Sequence, residues 1–439
     1  MNMRAWFLAT LALVALSACS KEEICAPGEL SCGGACVAAT DPEHCGACDN
    51  RCASGQACAR STSAGEAPQC IDCLAGDASC ATALYVACFA TDQVMGMTAD
   101  LGTVTAQYRV DDGPISLARA ATGLYVASGV SPVIDLLEPG ESDPRRFVLP
   151  AATGSYLGLL RARDGRVYAS NPGDQTLMAI DGASGEVLQG VSVSVNYGDV
   201  ANPGGFDFVG DRAYVTLSGD AATPASPSYA TSQQIAVVDF STDPATVVKR
   251  IGLNVPNSHD TDAFPFPNSA LAVGNRVYVT LANLKYGEGL PGWPGWVVPA
   301  GNGRLAVIDT AADDAPSIVD LGSACQNPGG LAVSGTTLWV ACIGATPGSE
   351  QWTQVPPAIM PVDLSVQPPA PGAAIVAPSA VSGKIAFCNG TAYVGDQNTG
   401  KVARFDPAGA TAAVAADVCP VDTTAQFPFA YAADVACGP

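Results

Sequence analysis

The stretch Leu271-Ala272-Val273-Gly274-Asn275-Arg276-Val277-Tyr278-Val279 decides the fold, because its pattern recurs from residue 84 to the end of the chain. It consists of a short apolar run, a turn with glycine or asparagine, and an aromatic residue between small or branched apolar residues. Such a pattern indicates a β-hairpin. Its aromatic centre occurs seven times, as Leu84-Tyr85-Val86, Leu124-Tyr125-Val126, Val167-Tyr168-Ala169, Ala213-Tyr214-Val215, Val277-Tyr278-Val279, Leu338-Trp339-Val340 and Ala392-Tyr393-Val394.

A third strand that ends in aspartate follows most of these hairpins, and a turn and a fourth strand come after it. Its copies are Val133-Ile134-Asp135, Ala179-Ile180-Asp181, Val237-Val238-Asp239, Val307-Ile308-Asp309, Val362-Asp363 and Phe405-Asp406. Four antiparallel strands in about 40 to 60 residues is the period of a propeller blade. The sequence therefore predicts an all-β protein with a seven-bladed β-propeller. The aspartates are interpreted as turn formers that accept hydrogen bonds from backbone amides.

The repeat resembles that of YVTN-type β-propellers, and it lacks the Gly-His and Trp-Asp pairs that are typical of WD40 repeats. The alternative is a series of separate β-sandwiches, which is disfavoured because no copy carries enough apolar residues to fold without its neighbours. The strand at Leu84 has no inner strand before it, whereas Phe429 to Val435 forms an inner strand with none after it. We expect these N- and C-terminal strands to pair and close the ring, which removes exposed sheet edges.

Residues 1–18 are predicted to form a signal peptide that is removed from the mature protein. Arg4 supplies positive charge, and Trp6 to Leu16 is an apolar run too short for a permanent membrane span. Leu16-Ser17-Ala18-Cys19 then resembles the lipobox of bacterial lipoproteins, and this resemblance implies that Cys19 is lipidated. Ser20 stands where a retention aspartate would lie, which favours the outer membrane. The alternative is an ordinary secretory signal with an incidental cysteine.

The cysteine count agrees with a lipid anchor. The chain has 17 cysteines, and lipidating one leaves an even number that can pair in an oxidising compartment. Eight lie where few large apolar residues could build a core, which predicts a disulfide-held module at residues 19–72: Cys25, Cys32, Cys36, Cys45, Cys48, Cys52, Cys58 and Cys70. This segment resembles cysteine-rich repeats of surface lipoproteins from predatory and social soil bacteria. A zinc site at His44, Cys45 and Cys48 is the alternative, although the exported, even-numbered set favours disulfides.

The propeller, expected at residues 73–439, contains the other cysteines, and equivalent blade positions predict their pairing. Cys325 lies just before an inner strand and Cys342 ends the second strand of the same blade, which predicts a disulfide between them. Cys419 and Cys88 hold the same two places in the closing blade. Cys388 and Cys437 both end inner strands of neighbouring blades, so they would lie at similar height and could join. Cys73 and Cys80 are left to pair locally.

Charge and motifs exclude several classes of function. Lys+Arg number 20 against 41 Asp+Glu, so the net charge of -21 would repel nucleic acid. The chain has two histidines and none of the Gly-x-Ser-x-Gly, His-Glu-x-x-His or phosphate-loop motifs. Asn202, Asn268 and Asn327 lie at inner-strand starts, where lactonase propellers place metal ligands, but we interpret them as turn residues. No catalytic residue, metal or cofactor is predicted.

Three enlarged loops are the strongest functional signal. They join the second and third strands of successive blades at residues 218–232, 283–303 and 344–357, and a neighbouring connection adds residues 258–262. All these loops would share one face of the ring. The predicted ligand-binding face consists of Tyr229, His259, Asp260, Asp262, Tyr286, Trp293, Trp296 and Trp352. Exposed aromatics beside polar groups suit a protein or saccharide ligand. The alternative is that the tryptophans only pack against their own loop.

Two functional hypotheses remain. The first is a monomeric, non-enzymatic binding or scaffold propeller, held at the cell envelope by its lipid. The second is a metal-dependent hydrolase, lactonase or lyase with its site in the central channel. Channel-facing carboxylates that converge at one height would support the enzyme. An aromatic patch on one face with an uncharged channel would favour the binding protein.

Overall fold

Seven antiparallel sheets, arranged as blades around a central axis, account for most of the structure, which is a computed structural model. It describes residues 29–32, 35–38, 47–48, 56–59, 69–72 and 82–438, except residues 140, 142, 153, 195–200, 220–232, 254–263, 287–296, 312–315, 345–354, 378–380, 397–398, 410–412 and 422–429. The predicted seven-bladed all-β propeller is therefore confirmed. Among the described residues, no helix has the length and hydrophobicity needed to cross a membrane.

The blades are numbered from the one that closes the ring, and their strands are named inner, second, third and outer. Blade 1 contains Ala432–Cys437, Leu84–Cys88, Gln93–Met97 and Thr103–Arg109, with a 3-10 turn at Phe89–Thr91. Blade 2 contains Pro114–Ala120, Gly123–Ser128, Val133–Leu137 and Arg145–Val148, and blade 3 contains Leu160–Arg163, Arg166–Asn171, Thr176–Asp181 and Val187–Ser192. Blade 4 contains Pro203–Val209, Arg212–Leu217, Gln234–Asp239 and Thr246–Gly252, and blade 5 contains Pro267–Val273, Arg276–Leu281, Arg304–Asp309 and Ser317–Asp320.

Blade 6 contains Pro328–Ser334, Thr337–Cys342 and Ala358–Asp363, and its outer strand is split into Ala370–Pro371 and Ile375–Val376. Blade 7 contains Val381–Cys388, Thr391–Asp396, Lys401–Phe405 and Val414–Asp417. A small ribbon of Leu284–Tyr286 and Val297–Pro299 stands on blade 5. The predicted closure is present, because the C-terminal inner strand of blade 1 pairs with its second strand, with Val435 opposite Val86.

The N-terminal segment contributes strands of its own. Glu29–Cys32 pairs with Ala35–Ala38, and a disulfide joins Cys32 to Cys48. Gln56–Ala59 and Gln69–Asp72 form a second hairpin. This second hairpin pairs with the outer strand of blade 1, with Ala59 opposite Thr103, so that blade 1 becomes a sheet of six strands. The end of the cysteine-rich segment thus continues the sheet of the propeller.

Burial follows the position of each strand within its blade. The second strand of blade 4 and the third strand of blade 3 are buried along nearly their whole length, whereas the outer strand of blade 4 is mostly exposed. Middle strands are covered on both faces because neighbouring blades pack face to face. Seven apolar clusters each combine residues of two adjacent blades. Each blade is therefore stabilised by its neighbours, as in other repeat proteins.

Five of the third-strand aspartates form the predicted turns. Asp181, Asp239, Asp309, Asp363 and Asp406 each accept a hydrogen bond from a backbone amide two residues later, at 2.8 to 3.0 Å. The pKa of Asp181 is lowered mainly by the backbone and hydroxyl hydrogen bonds of Ser184. Those of Asp239 and Asp363 are lowered mainly by the hydroxyls of Ser241 and Ser365 and then by the amides of the same serines, because these bonds favour the charged carboxylate.

The interpretation was wrong for Asp135, which is buried inside its strand because Leu136 and Leu137 continue the pairing. Its carboxylate instead binds the backbone amide of Asp111 and the guanidinium of Arg146.

Asn202 and Asn327 are turn residues, as predicted, with φ of 47° and 50°. Each precedes the proline that begins an inner strand, and the left-handed conformation suits asparagine better than most residues. Asn268 was predicted to be a turn residue too, but it lies inside the inner strand of blade 5. Its carbonyl accepts a hydrogen bond from the Thr216 hydroxyl of blade 4 at 3.0 Å. The left-handed position in blade 5 is Phe266, with φ of 49°.

Candidate functional site at the rim of blades 4 to 6

The described residues that flank the predicted ligand-binding loops lie together at one rim of the ring. Tyr229, His259, Asp260, Asp262, Trp293, Trp296 and Trp352 lie outside the described residues, and so do Cys19, Cys73 and Cys80. Tyr286 ends a strand of the blade 5 ribbon, and its side chain also lies outside the described part. The structure does describe the residues from which these segments emerge. We call this base the platform and define it as Gln233, Phe264, Phe266, Leu284, Gly303 and Cys325.

The loop of blade 4 is tied to the platform through Gln233, which directly follows it. This side chain is 2% exposed. Its amide nitrogen donates to the carbonyl of Ser218, at the other end of the loop, and its amide oxygen accepts from the backbone of Phe266 at 2.8 Å. Asn202 adds a bond from its side-chain nitrogen to the Ser218 hydroxyl at 2.8 Å. Both ends of the blade 4 loop are thereby fixed to blade 5.

Phe264 and Leu284 join two of the predicted segments. Their backbones exchange hydrogen bonds of 2.8 and 3.0 Å. The segment with His259, Asp260 and Asp262 ends just before Phe264, and the ribbon that leads to Trp293 and Trp296 begins at Leu284. A buried apolar cluster of Phe264, Ala282 and Leu284, with Phe266 packed against it, fills the space below. The histidine-bearing segment and the tryptophan-bearing segment therefore leave the same rigid point.

Blade 6 is attached to the same rim. The amide of Gly303, at the end of the blade 5 loop, donates to the carbonyl of Cys325 at 2.7 Å. Cys325 is bonded to Cys342, whose strand ends where the blade 6 loop begins, with the two Cα atoms 5.2 Å apart. Gly344 donates back to the carbonyl of Gln326 at 3.1 Å. The three enlarged loops thus stand on one continuous, hydrogen-bonded base.

Apart from Cys325, whose disulfide was predicted, sequence reasoning missed the platform residues. The sequence did contain a signal, in Phe264-Pro265-Phe266-Pro267. Its Phe266-Pro267 occupies the inner-strand start at which other blades have Asn202-Pro203 and Asn327-Pro328. A phenylalanine in the left-handed region is a genuine outlier, and such positions persist only where the surroundings hold them. Here the amide and the carbonyl of Phe266 both form hydrogen bonds, to Gln233 and Ala282. The backbone is therefore constrained at the point where the loops emerge.

The central channel contains a buried ion pair that the sequence did not predict. Lys384 of blade 7 donates to Asp434 of blade 1 at 2.6 Å, and to the hydroxyl of Ser116 and the carbonyl of Leu117 in blade 2 at 3.1 and 2.9 Å. The Lys384 side chain is 17% exposed. Burial lowers its pKa and the nearby Arg161 adds to this effect, while Asp434 opposes it. The three hydrogen bonds occupy all the donors of the ammonium group, so the contact joins three blades.

A second ion pair in the channel joins blades 3 and 4. Arg161 of blade 3 and Asp207 of blade 4 approach to 3.7 Å, and Asp207 also accepts from the backbone of Ala272 in blade 5 at 2.8 Å. In blade 1, Asp434 directly precedes Val435, which lies opposite Val86. In blade 4, Asp207 directly follows Phe206, which lies opposite Val215. The two carboxylates therefore stand at different heights.

The described channel has neither the converging carboxylates expected of the enzyme nor the lack of charge expected of the binding protein. It is charged, but its carboxylates are paired with cations and do not converge. Within the described residues, no group of three or more His, Cys, Asp or Glu side chains is arranged to hold a metal.

The three described disulfides of the propeller have the connectivity that the blade positions predict. Cys88 is bonded to Cys419, Cys325 to Cys342 and Cys388 to Cys437, with Cα atoms 5.2 to 5.3 Å apart.

No family model and no curated protein sequence matches the chain. Solved structures do resemble it. A functionally unknown protein from Desulfotomaculum acetoxidans DSM 771 superposes with a TM-score of 0.53 at 10% identity, covering 77% of this chain and 100% of that one. Kuenenia stuttgartiensis hydrazine synthase superposes with a TM-score of 0.51 at 13% identity, covering 72% of this chain and 90% of that one. At these identities the likeness shows the fold alone. The protein is a seven-bladed β-propeller.

Proposed function

We propose that the protein is a lipid-anchored envelope protein whose propeller binds a protein or a saccharide through the enlarged loops of blades 4 to 6. The observation that carries this proposal is the platform, because it fixes both ends of the blade 4 and blade 5 loops and the start of the blade 6 loop, and joins three neighbouring blades. Binding loops on a rigid scaffold lose less conformational entropy when a ligand binds. The aromatic residues of these loops would supply contact area, and the polar segment at residues 258–262 would supply hydrogen bonds.

The disulfides support a location outside the cytoplasm. Four of them are present among the described residues, and such bonds persist in oxidising compartments. Together with the lipobox at Cys19 they favour an anchored protein, for which we propose the outer membrane, with YVTN-type repeats in the ring and the cysteine-rich segment between lipid and propeller.

The anchor is tested by Cys19→Ser and by labelling with a fatty acid. The wild type should incorporate the label and sediment with membranes, and the variant should lose both properties. A variant that still sediments with membranes, with a mature N-terminus elsewhere, would contradict the lipid anchor.

The binding face is tested with the lipid-free protein on a glycan array and by crosslinking to outer-membrane proteins. Replacing Trp293, Trp296 and Trp352 by alanine should abolish capture with little change in melting temperature. Tyr156→Ala is the matched control, because Tyr156 is 38% exposed and lies outside the platform. Capture that all three proteins share equally would overturn the proposal.

A further inference from the structure

Blades 3, 4 and 5 each have an arginine at the start of the second strand, and the strand pairing places an aspartate of the third strand opposite it. The three pairs are Arg166 and Asp181, Arg212 and Asp239, and Arg276 and Asp309. In blades 4 and 5 the guanidinium contacts this aspartate, at 3.4 and 3.8 Å. Because the backbone positions are equivalent, the three arginines can be compared directly.

Arg166 of blade 3 differs from the other two. Its guanidinium forms no ion pair or hydrogen bond with any residue that the structure describes. Asp181 accepts hydrogen bonds from the amides of Ala183 and Ser184 and from the Ser184 hydroxyl, at 2.7 to 3.0 Å. The Arg166 side chain lines a cavity of about 200 Å³ at the seam between blades 3 and 4. Blade 3 thus presents an unpaired cation to this cavity.

Blade 4 contributes an unpaired anion to the same cavity. Asp211 lies in the turn between the inner and second strands, and its backbone carbonyl accepts a hydrogen bond from the amide of Phe240 at 3.0 Å. This bond fixes the turn. The Asp211 carboxylate, in contrast, has no hydrogen-bond or ion-pair partner in the described part of the chain. The cavity is therefore lined by one free charge of each sign.

A second arginine lines the cavity, but its guanidinium is already engaged. Arg163 pairs with Asp164 at 2.8 Å. Its guanidinium also donates to the carbonyl of Gly210 and covers the ring of Phe208 at 5.4 Å from the ring centroid. Asp164 balances the charge of Arg163, and the contacts with blade 4 hold the arginine across the seam. Arg163 therefore forms a fixed wall, and Arg166 and Asp211 remain available to a ligand.

The charges around the cavity select the kind of ligand. Its four charged residues, two arginines and two aspartates, sum to zero. A ligand with a single charge would attract one of the two free side chains and repel the other. A ligand with one group of each sign satisfies Arg166 and Asp211 together. The volume is below the range of about 300 to 1,000 Å³ that is typical of drug-sized ligands, so the ligand must be small.

We propose that this cavity binds a compact zwitterion, in which an anionic group and an ammonium group are separated by a few bonds. The anionic group binds the guanidinium of Arg166, whose planar fork matches carboxylate and phosphate oxygens. The ammonium group donates hydrogen bonds to the carboxylate of Asp211. Free α-amino acids and the headgroup of phosphatidylethanolamine share this chemistry.

This site is separate from the loop face. The cavity is lined by the turns between inner and second strands at residues 164–165 and 210–211, whereas the enlarged loops leave the opposite ends of the second strands. Binding in the cavity therefore does not depend on the proposed function. The tryptophan variants above should bind a zwitterion as the wild type does.

The probes are L-alanine and glycerophosphoethanolamine, titrated into the lipid-free protein and followed by saturation-transfer difference NMR. The probe that binds more tightly identifies the source of the ligand, a free amino acid or a lipid headgroup. L-Alanine amide lacks the anionic group, and N-acetyl-L-alanine lacks the ammonium group. Each of these two controls should bind at least tenfold more weakly than the tighter probe.

Two variants remove the free charges one at a time. Arg166→Met and Asp211→Asn should each weaken binding of the tighter probe at least tenfold. The melting temperature should change little, because neither side chain has a partner among the described residues. Arg276→Met is the matched control, because Arg276 holds the same ladder position but is paired with Asp309. This control should bind the probes as the wild type does.

The two variants should also change selectivity in opposite ways. Arg166→Met should lose discrimination against L-alanine amide, and Asp211→Asn should lose discrimination against N-acetyl-L-alanine. Equal affinity of the wild type for the zwitterions and both controls would overturn the proposal. Equal weakening by Arg276→Met, or no saturation transfer to either zwitterion, would also overturn it.

Discussion

Cys88 and Cys419 are joined by a disulfide although 331 residues separate them in the chain. The bond connects the end of a second strand in blade 1 to the segment that enters the same blade from the other end of the ring. A second bond, Cys388–Cys437, joins the inner strands of blades 7 and 1. Ring closure is therefore held by strand pairing and by two covalent links.

The three propeller disulfides should stabilise the fold in the order of the loops that they close. The chain-entropy estimate is about 3 kcal/mol for Cys325–Cys342, about 4 for Cys388–Cys437 and about 5 to 6 for Cys88–Cys419, because the sequence separations are 17, 49 and 331. Replacing each pair by alanine and measuring the free energy of unfolding in guanidinium chloride tests the order. Equal losses for the three pairs would contradict it.

Removing one partner of the buried ion pair between Lys384 and Asp434 should cost more stability than removing one partner of an exposed pair. Lys384→Met or Asp434→Leu alone leaves one partner's interactions uncompensated in the channel, and we expect a loss of about 3 to 5 kcal/mol. The double variant Lys384→Met, Asp434→Leu should recover much of it. The exposed pair Lys401 and Asp417, 3.9 Å apart, is the control, and its removal should cost less than about 1 kcal/mol. Additive losses for the buried pair in denaturant unfolding would show that the two charges are not coupled.

Gly395 lies where blade 7 approaches the inner strand of blade 1. A Cβ atom at this position would overlap the carbonyl oxygen of Ala432, which belongs to the backbone and can move only if the strand moves. Gly395→Ala should therefore reduce stability by about 1 to 3 kcal/mol. Gly190 has no atoms within 4 Å of the equivalent position, and Gly190→Ala should change stability by less than about 0.5 kcal/mol. Thermal unfolding of the two variants distinguishes them, and a similar shift for both would refute the close approach.

The blades could be predicted because each repeats one local pattern. A turn, an aromatic residue and an aspartate mark three of the four strands, and the repeat fixes their equivalence without knowledge of distant contacts. The same equivalence predicts Cys325–Cys342 and, across the closure, Cys88–Cys419. Asp135 shows where the local rule fails. Two further leucines extend its strand, and burial then changes the partners of the carboxylate.

The channel could not be predicted by counting residues. Inner strands carry register shifts near their starts, as between Pro203 and Phe206 in blade 4 and between Ala432 and Asp434 in blade 1. Each shift alters which side chains face the channel. Lys384 and Asp434 meet because blades 7 and 1 are adjacent at a particular height, which the sequence pattern does not specify.

The platform depends on single long-range hydrogen bonds, and this makes Gln233 its most informative residue. Gln233→Ala would leave the carbonyl of Ser218 and the amide of Phe266 without their side-chain partner. Each unsatisfied buried group costs about 1 to 3 kcal/mol, so the amide of Phe266 should exchange with deuterium roughly 5- to 150-fold faster.

The effect of Gln233→Ala should stay local, because its hydrogen-bond partners, Ser218 and Phe266, lie in the connections of blades 4 and 5. Amides in the second strands of blades 1 and 2 should exchange at the wild-type rate. Gln189→Ala is the matched control, since Gln189 donates one hydrogen bond to the carbonyl of Thr242 on the outer surface at 3.1 Å. This control should leave the Phe266 amide unchanged. Uniformly faster exchange throughout the ring of the Gln233 variant would mean that Gln233 supports the whole propeller and not the base of the loops.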